Sequence, residues 1–236
     1  MELKRVEKVI PMFDDLIRTF QMLYPEKKLV IAGGSVRDIY LGIEPKDIDM
    51  YFLGLDWSKE NKIKFKQKLD ASQLYYEVWD ANLPWHKYER FLIMSIVCKT
   101  VKELSDKKIE VQFMGFPVDS CEKLLETFDW EMCIFSYEPG CMIASQEALD
   151  LCDKIKLYNK TDINYKPPVM KLCNVQFPVS NLRRGFKFES RYPIKLNYGS
   201  ILKLCKAVIE QDTMESKNGK MEEWLINQLK KYGTNV

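Results

Sequence analysis

The stretch "VIAGGSVRDIYLGIEPKDIDMYFLG", residues 30–54, sets two glycines directly after an apolar run, then two aspartates astride one isoleucine. An ordinary turn and an ordinary solvated edge use the same residue types, so the neighbours decide. "KKLVIAGG" reads as a short buried strand that ends on Gly33 and Gly34. "SVRDIYLG" follows as a short helix, with Ser35 placed to cap its start and Gly42 to end it. "DIDMYFL" then alternates as a strand, which turns Asp47 and Asp49 to one face and Ile48 to the core.

Two carboxylates that close repel one another, a cost that a cation between them removes. A hard divalent ion such as Mg2+ is the economical partner, because it takes oxygen ligands and leaves room for phosphate and water. Glu110, flanked by Ile109 and Val111 in "KIEVQFM", offers a third oxygen donor. If its strand pairs beside Asp47 and Asp49, three carboxylates converge; exposure to solvent beside Lys107 and Lys108 is the plainer fate. Such a cluster with two Mg2+ ions suits in-line phosphoryl or nucleotidyl transfer. The Gly33-Gly34-Ser35 turn supplies the other half, since bare backbone at a helix start lets a triphosphate approach main-chain N–H groups. Arg37 and Asp38 read either as a surface ion pair or as a support of that pocket.

The chain has 236 residues, 46% of them hydrophobic, enough for one substantial core or two small modules. It has no run of 18 apolar residues and no apolar signal-peptide core at its start, which points to a cytoplasmic protein with no membrane partner. Its 7 cysteines are odd in number and form no C-x-x-C pair. Cys98, Cys133, Cys173 and Cys205 lie in apolar stretches and read as reduced core thiols. The single histidine, His86, excludes a zinc site built on paired histidines. A net charge of +2 hides an asymmetry: residues 151–236 carry 16 Lys/Arg against 8 Asp/Glu, the rest 20 against 26. An acidic front and a basic back suit a carboxylate site beside a polyanion-binding surface, and equally a tail of solvated lysines.

Along the chain, residues 2–22 have helical spacing, with a bend or restart at Pro11. "SKENKIKFKQKLDA" reads as a lysine-rich amphipathic helix, and "YERFLIMSIVCK" and "KKIEVQFMGF" as strands joined through Ser105-Asp106. "SCEKLLETF" is helical in pattern, while "EMCIFSY" and "CMIAS" form a hairpin around Pro139-Gly140. After about residue 145 helices take over: "QEALDLCDK", "NLRRGFKFESR", "SILKLCKAVIEQ" and "MEEWLINQLKKY", with a boundary near Pro167-Pro168. The expected fold is α+β, a small mixed sheet with flanking helices over 1–145 and a short, basic helical segment over 146–236. In the latter, Arg183, Arg184, Lys187 and Arg191 fall at i, i+1, i+4 and i+8, so three of them can share a basic stripe while Phe186 and Phe188 turn inward. Phosphate contact by Arg184 or Lys187 is the functional expectation, and a solvated face the plain one. Trp85 and Trp130 are expected to pack in the core or at its rim.

"GGSVRDIYLGIEPKDIDM" resembles the signature G-G-x-V-R-D-x-L-L-G-x-x-x-x-D-h-D-h (h apolar) of class II CCA-adding enzymes and bacterial poly(A) polymerases. These belong to the DNA polymerase beta nucleotidyltransferase superfamily. "KKIEVQFMGF" is similar to the family's V-E-V-T-T-F-R strand, with Glu110 in the place of the third acid. "FDWEMCIFSY" is similar to R-D-F-T-x-N-A-x-A-Y at Asp129 and Tyr137, and "LRRGFKFESRYPI" loosely to L-R-A-x-R-F-A-A-R-x-G-F, with Lys187 where arginine is usual. The resemblance implies a polymerase-beta-type head and a neck-like segment. It also implies NMP transfer from an NTP (ATP and/or CTP) to a hydroxyl, an RNA and specifically tRNA 3′ end. Asp47, Asp49 and Glu110 would be the catalytic ligands of two Mg2+ ions, and Gly33, Gly34 and Ser35 would meet the triphosphate. Arg37 and Asp38 would support the nucleotide pocket, and Asp129 would touch the ribose.

Departures are specific. Phe128 stands for the arginine before Asp129, Glu131 for threonine and Cys133 for asparagine, and the base-reading E-D-x-x-R motif has no clear copy. Little chain remains for the helical body that binds the tRNA elbow, so the sequence resembles the compact virus- or phage-encoded members of this fold. Two other classes stay open: a toxin- or defence-type enzyme that uses another acceptor or makes a signalling nucleotide, and a non-catalytic RNA- or nucleotide-binding relative.

Overall fold

The computed structural model describes residues 1–80, 92–98, 109–158 and 166–215. His86, Trp85, the Ser105-Asp106 turn and the helix expected at 221–232 lie outside the described residues. The elements run β1 (Leu3–Glu7), α1 (Pro11–Gln21), β2 (Lys28–Ala32), α2 (Gly34–Leu41), β3 (Asp47–Leu53), α3 (Lys59–Ser72), β4 (Tyr75–Asp80), β5 (Leu92–Cys98), β6 (Glu110–Met114) and α4 (Cys121–Glu126). A 3-10 turn (Glu131–Cys133) precedes β7 (Phe135–Glu138), β8 (Cys141–Ser145) and α5 (Gln146–Tyr158). Then come β9 (Val169–Met170), α6 (Pro178–Arg191), β10 (Lys195–Leu196) and α7 (Tyr198–Glu215). The chain divides into two compact units, residues 1–128 with 132–153 and residues 129–131 with 154–236.

In the first unit, β1 to β8 form one mixed sheet in the order β1-β8-β7-β2-β3-β6-β5-β4. Only the β3–β6 pair is parallel; the remaining neighbours run antiparallel. Alternation along β3 sends Ile48, Met50 and Phe52 to one face, where Val111 and Phe113 of β6 join them in register. Aromatic side chains from α1 and α3 close that face: Phe20 lies 5.1 Å and Phe65 4.8 Å from Phe113, ring centre to ring centre. The opposite face carries Asp47, Asp49, Glu110 and Gln112.

The N-terminal segment departs from the expectation of a helix over 2–22 with a bend or restart at Pro11, in that only the part from Pro11 is helical. Residues 3–7 form β1, paired with β8 from Leu3↔Ser145 to Glu7↔Cys141, and the helix starts only at Pro11. Proline suits the first helical position because the N–H it lacks has no intrahelical acceptor there. The pairing with β8 is a contact between residues far apart in sequence, which local spacing cannot register. Tyr137 ties the two ends together, its hydroxyl accepting from Ile10 N at 2.9 Å and donating to Asp14 Oδ1 at 2.7 Å. β4 was also unannounced by the sequence pattern, and the stretch "EMCIFSY" is strand only from Phe135.

The second unit centres on Trp130, which is fully buried and donates through Nε1 to Asn181 O at 2.9 Å. Phe186 and Phe188 of α6 are both buried, as expected. β9 and β10 pair in parallel, and Trp130 bridges to Leu172. Cys121, Cys133, Cys141, Cys152, Cys173 and Cys205 form no disulfide; Cys121, Cys133 and Cys152 are buried, Cys141 and Cys205 half-buried and Cys173 exposed. The core-thiol reading therefore fails for Cys173, whose backbone N–H donates to Asp129 O at 2.7 Å.

Gly185 lies against the indole so closely that an added Cβ would stand 2.6 Å from Trp130 Cζ2. Alanine at a helical glycine ordinarily gains up to about 1 kcal/mol, but a crowded core loses about 1–3 kcal/mol. We expect Gly185→Ala to lower the urea midpoint; an unchanged or higher midpoint would show that the indole yields without cost.

Candidate active site

Gly33 closes β2 and stands at the N-cap of α2 with φ 88°. Its N–H donates to Phe135 O at 2.7 Å and its carbonyl accepts from Arg37 N at 3.3 Å. The helix thus begins on a glycine with no side chain to cap it, and Ser35 is not the cap that the sequence suggested. Ser35 sits one residue inside the first turn, and its hydroxyl is buried with no hydrogen-bond partner among the described residues. The N–H groups of Gly34, Ser35 and Val36 open the helix, where none has an intrahelical acceptor. A Cβ at Gly33 would stand 3.3 Å from Phe128 Cε1 and 3.8 Å from Asp49 Oδ2. Glycine is needed here for its positive φ and for this narrow space.

Across from the turn, Asp47 is exposed, Asp49 is half-buried and Ile48 between them is fully buried. Parallel register sets Glu110 beside Asp47 and Gln112 beside Asp49, on the same face of the sheet. Glu110 is half-buried, and its Oε2 accepts from Ser95 Oγ at 3.0 Å and Gln112 Nε2 at 3.3 Å. Ser95 belongs to β5, on the far side of β6 from β3, so this carboxylate leans away from Asp47. Among the described residues no three His, Cys, Asp or Glu side chains stand grouped around one metal position. Neither Ser95 nor Gln112 was picked out from sequence. The signals were a lone hydroxyl inside the apolar run "LIMSIV" and an amide two residues beyond Glu110 on one strand.

Arg37 and Asp38 are buried, which overturns the surface-pair reading. Arg37 Nε and Nη2 both donate to Asp38 Oδ1, at 2.9 and 2.7 Å, and Nη1 stands 3.7 Å from Cys133 Sγ. Removing one member of a pair buried this way costs about 3–5 kcal/mol, because the other charge is stranded. Nη2 also lies 3.4 Å from where a Cβ on Gly34 would be, so the guanidinium backs the glycine turn.

In the second unit, Asp129 Oδ1 accepts from Trp130 N at 3.0 Å. Arg184 Nη1 lies 3.2 Å from Asp129 Oδ2, near enough to attract yet off line, so that buried oxygen has no hydrogen-bond donor. Lys187 is exposed on α6. Glu131, in the place of the family's threonine, is buried and accepts from Lys171 N at 2.6 Å. Burial pushes the Asp129 carboxyl above its usual range, against the opposing pull of Arg184 and two backbone N–H groups. A carboxyl raised on folding contributes stability that is complete below its unfolded value and is lost as pH rises through the folded one. The melting temperature of Asp129→Asn relative to wild type should therefore climb between pH 4 and pH 7; a constant difference would contradict this.

Among solved structures, the chain is similar to a CCA-adding enzyme with ATP, at 17% identity and a TM-score of 0.61, over 97% of this chain and 52% of that one. It is similar to a Thermotoga maritima CCA-adding enzyme complexed with tRNA, at 16% identity and a TM-score of 0.59, over 99% and 55%. A CCA-adding enzyme with CTP gives 16% identity and a TM-score of 0.59, over 98% and 52%. The chain thus spans about half the length of these structures, and the likeness establishes an α+β fold of the CCA-adding enzyme head type. No curated protein matches. Among the described residues no helix is long and apolar enough to cross a membrane. A family model matches residues 4–151, well over half of the sequence. By that match the chain belongs to the Gabija anti-defense 2 family.

Proposed function

We propose that this chain is a divalent-metal-dependent nucleotidyltransferase, with residues 1–145 as its head and 146–236 as a neck-like, basic segment. The observation that carries the reading is the approach of Asp49 Oδ2 to Gly33, 3.8 Å from the position a Cβ would take. A carboxylate from β3 and the bare backbone at the start of α2 border one space. The donor set fits Mg2+, being all oxygen, and the Asp47 carboxylate makes no hydrogen bond or ion pair with any described residue. The orphaned Ser35 hydroxyl and the glycine turn fit a phosphate group.

Asp47 and Asp49 would hold the ions, with Glu110 as the third oxygen donor. Gly34, Ser35 and Val36 direct N–H groups at the triphosphate, and the buried Arg37–Asp38 pair keeps that turn rigid. Two bound Mg2+ ions would favour loss of the attacking hydroxyl's proton to solvent and offset the charge on the leaving pyrophosphate. In the transfer, the acceptor oxygen bonds to the α-phosphorus while the bond to the β-phosphate oxygen breaks. Asp129 in the second unit is assigned to the ribose, and Arg184 and Lys187 to phosphates. The acceptor we favour is an RNA 3′ end, by the fold's kinship with enzymes solved with ATP, CTP and tRNA.

Membership in an anti-defense family favours a second reading, in which the same chemistry is aimed at a component or a signal of a defence system. One incubation separates the two: pure protein with labelled NTPs, Mg2+ and total tRNA, wild type against Asp47→Ala/Asp49→Ala. Label on RNA, reduced about 100-fold or more in the double variant, is the expected result. Incorporation without RNA supports the second reading, and nucleotide binding with no turnover in wild type would rule out both.

A further inference from the structure

The glycine turn has an aromatic neighbour to which phosphate chemistry gives no task. Phe128 follows α4, its N–H donating to Leu125 O at 3.3 Å, and it is half-buried at the margin of the first unit's core. The Cε1–Cζ edge of its ring meets Gly33, at 3.3 and 3.6 Å from where a Cβ would stand, and Asp49 Oδ2 is 3.8 Å from the same point. Among the described residues no other aromatic ring and no cation stacks on it. Beside it the start of α2 offers N–H groups without intrahelical acceptors, and the Ser35 hydroxyl is buried without a hydrogen-bond partner among the described residues.

Donors for an anion and an unstacked ring thus border one glycine. A ligand that answers both joins a phosphate chain to a flat apolar group, which is the make-up of a nucleoside triphosphate and not of inorganic phosphate. We propose that Phe128 is the stacking platform for the base of the bound NTP. This rests on the nucleotidyltransferase reading and adds how the site takes its nucleotide: by the face of the base, not by its hydrogen-bonding edge. Every base has a π-face, so stacking tolerates all four, and its loss weakens binding about 5- to 100-fold. The sequence agrees, since it has no clear copy of the base-reading E-D-x-x-R motif.

The competing account is structural: the ring closes the margin of the core and keeps Gly33 in place. Replacing it would then damage the phosphate cradle itself, and inorganic triphosphate and nucleotides would suffer alike. The test is calorimetry on the full chain with Mg2+, using inorganic triphosphate and all four NTPs with a methylene between the α and β phosphates, together with melting of the variant. Phe128→Leu keeps an apolar side chain without a ring face. It should weaken every nucleotide about ten-fold and leave inorganic triphosphate unchanged. Should Phe128→Leu not fold, ribose 5′-triphosphate, which has no base, should bind wild type about ten-fold more weakly than ATP does. Equal weakening of triphosphate and nucleotides, no weakening at all, or loss for one base alone overturns this inference by itself. So does ribose triphosphate that binds as tightly as ATP. Wild type that binds neither triphosphate nor nucleotide overturns it together with the reading on which it rests.

Discussion

Two like charges on one strand, Asp47 and Asp49, face the same way while the isoleucine between them is driven fully into the core. That conflict governs the rest of the first unit. Ile48, Met50 and Phe52 lock the strand in register through a cluster with Phe65 and Phe113, so both carboxylates emerge on one face of the sheet. Under the proposed reading a divalent cation on that face would relieve their repulsion, and the end of β2 would hold an anion beside it. Gly33 is the hinge of the arrangement, because only a residue without a Cβ fits between Phe128 and Asp49 at φ 88°.

Behind that turn the chemistry is fixed by burial. The Arg37–Asp38 pair sits out of water, with both hydrogen bonds on one carboxylate oxygen and Cys133 close to the guanidinium. A charge so enclosed holds its geometry because every alternative strands it. Residues that depart from the CCA-adding enzyme signature have local roles. Phe128 packs its ring on Gly33, and Glu131 accepts a backbone N–H from Lys171.

Much of this was legible before any coordinates. The strand, turn, helix and strand over residues 28–53 follow from apolar alternation and glycine placement, and all four elements form. What stayed hidden depends on distant partners. β1 is a strand because β8 lies beside it, although Val6, Ile10 and Phe13 have helical spacing. Ser35 looked like a cap because serine usually is one, yet Gly33, two residues earlier and at positive φ, caps the helix. Arg37 and Asp38 are adjacent charges that elsewhere lie in solvent, and only the fold reveals their burial. The tilt of Glu110 toward Ser95 needed the β5–β6 register, which no single strand encodes.

The central claim is that the β3 aspartates and the start of α2 serve one bound metal–triphosphate. The most direct measurement is a crystal structure with Mn2+ and a non-hydrolysable NTP, read by anomalous scattering. The account requires an anomalous peak within about 2.0–2.3 Å of carboxylate oxygens from both Asp47 and Asp49. The phosphates should lie on the N–H groups of Gly34, Ser35 and Val36. A metal bound elsewhere, or a triphosphate that leaves the glycine turn untouched, would contradict it.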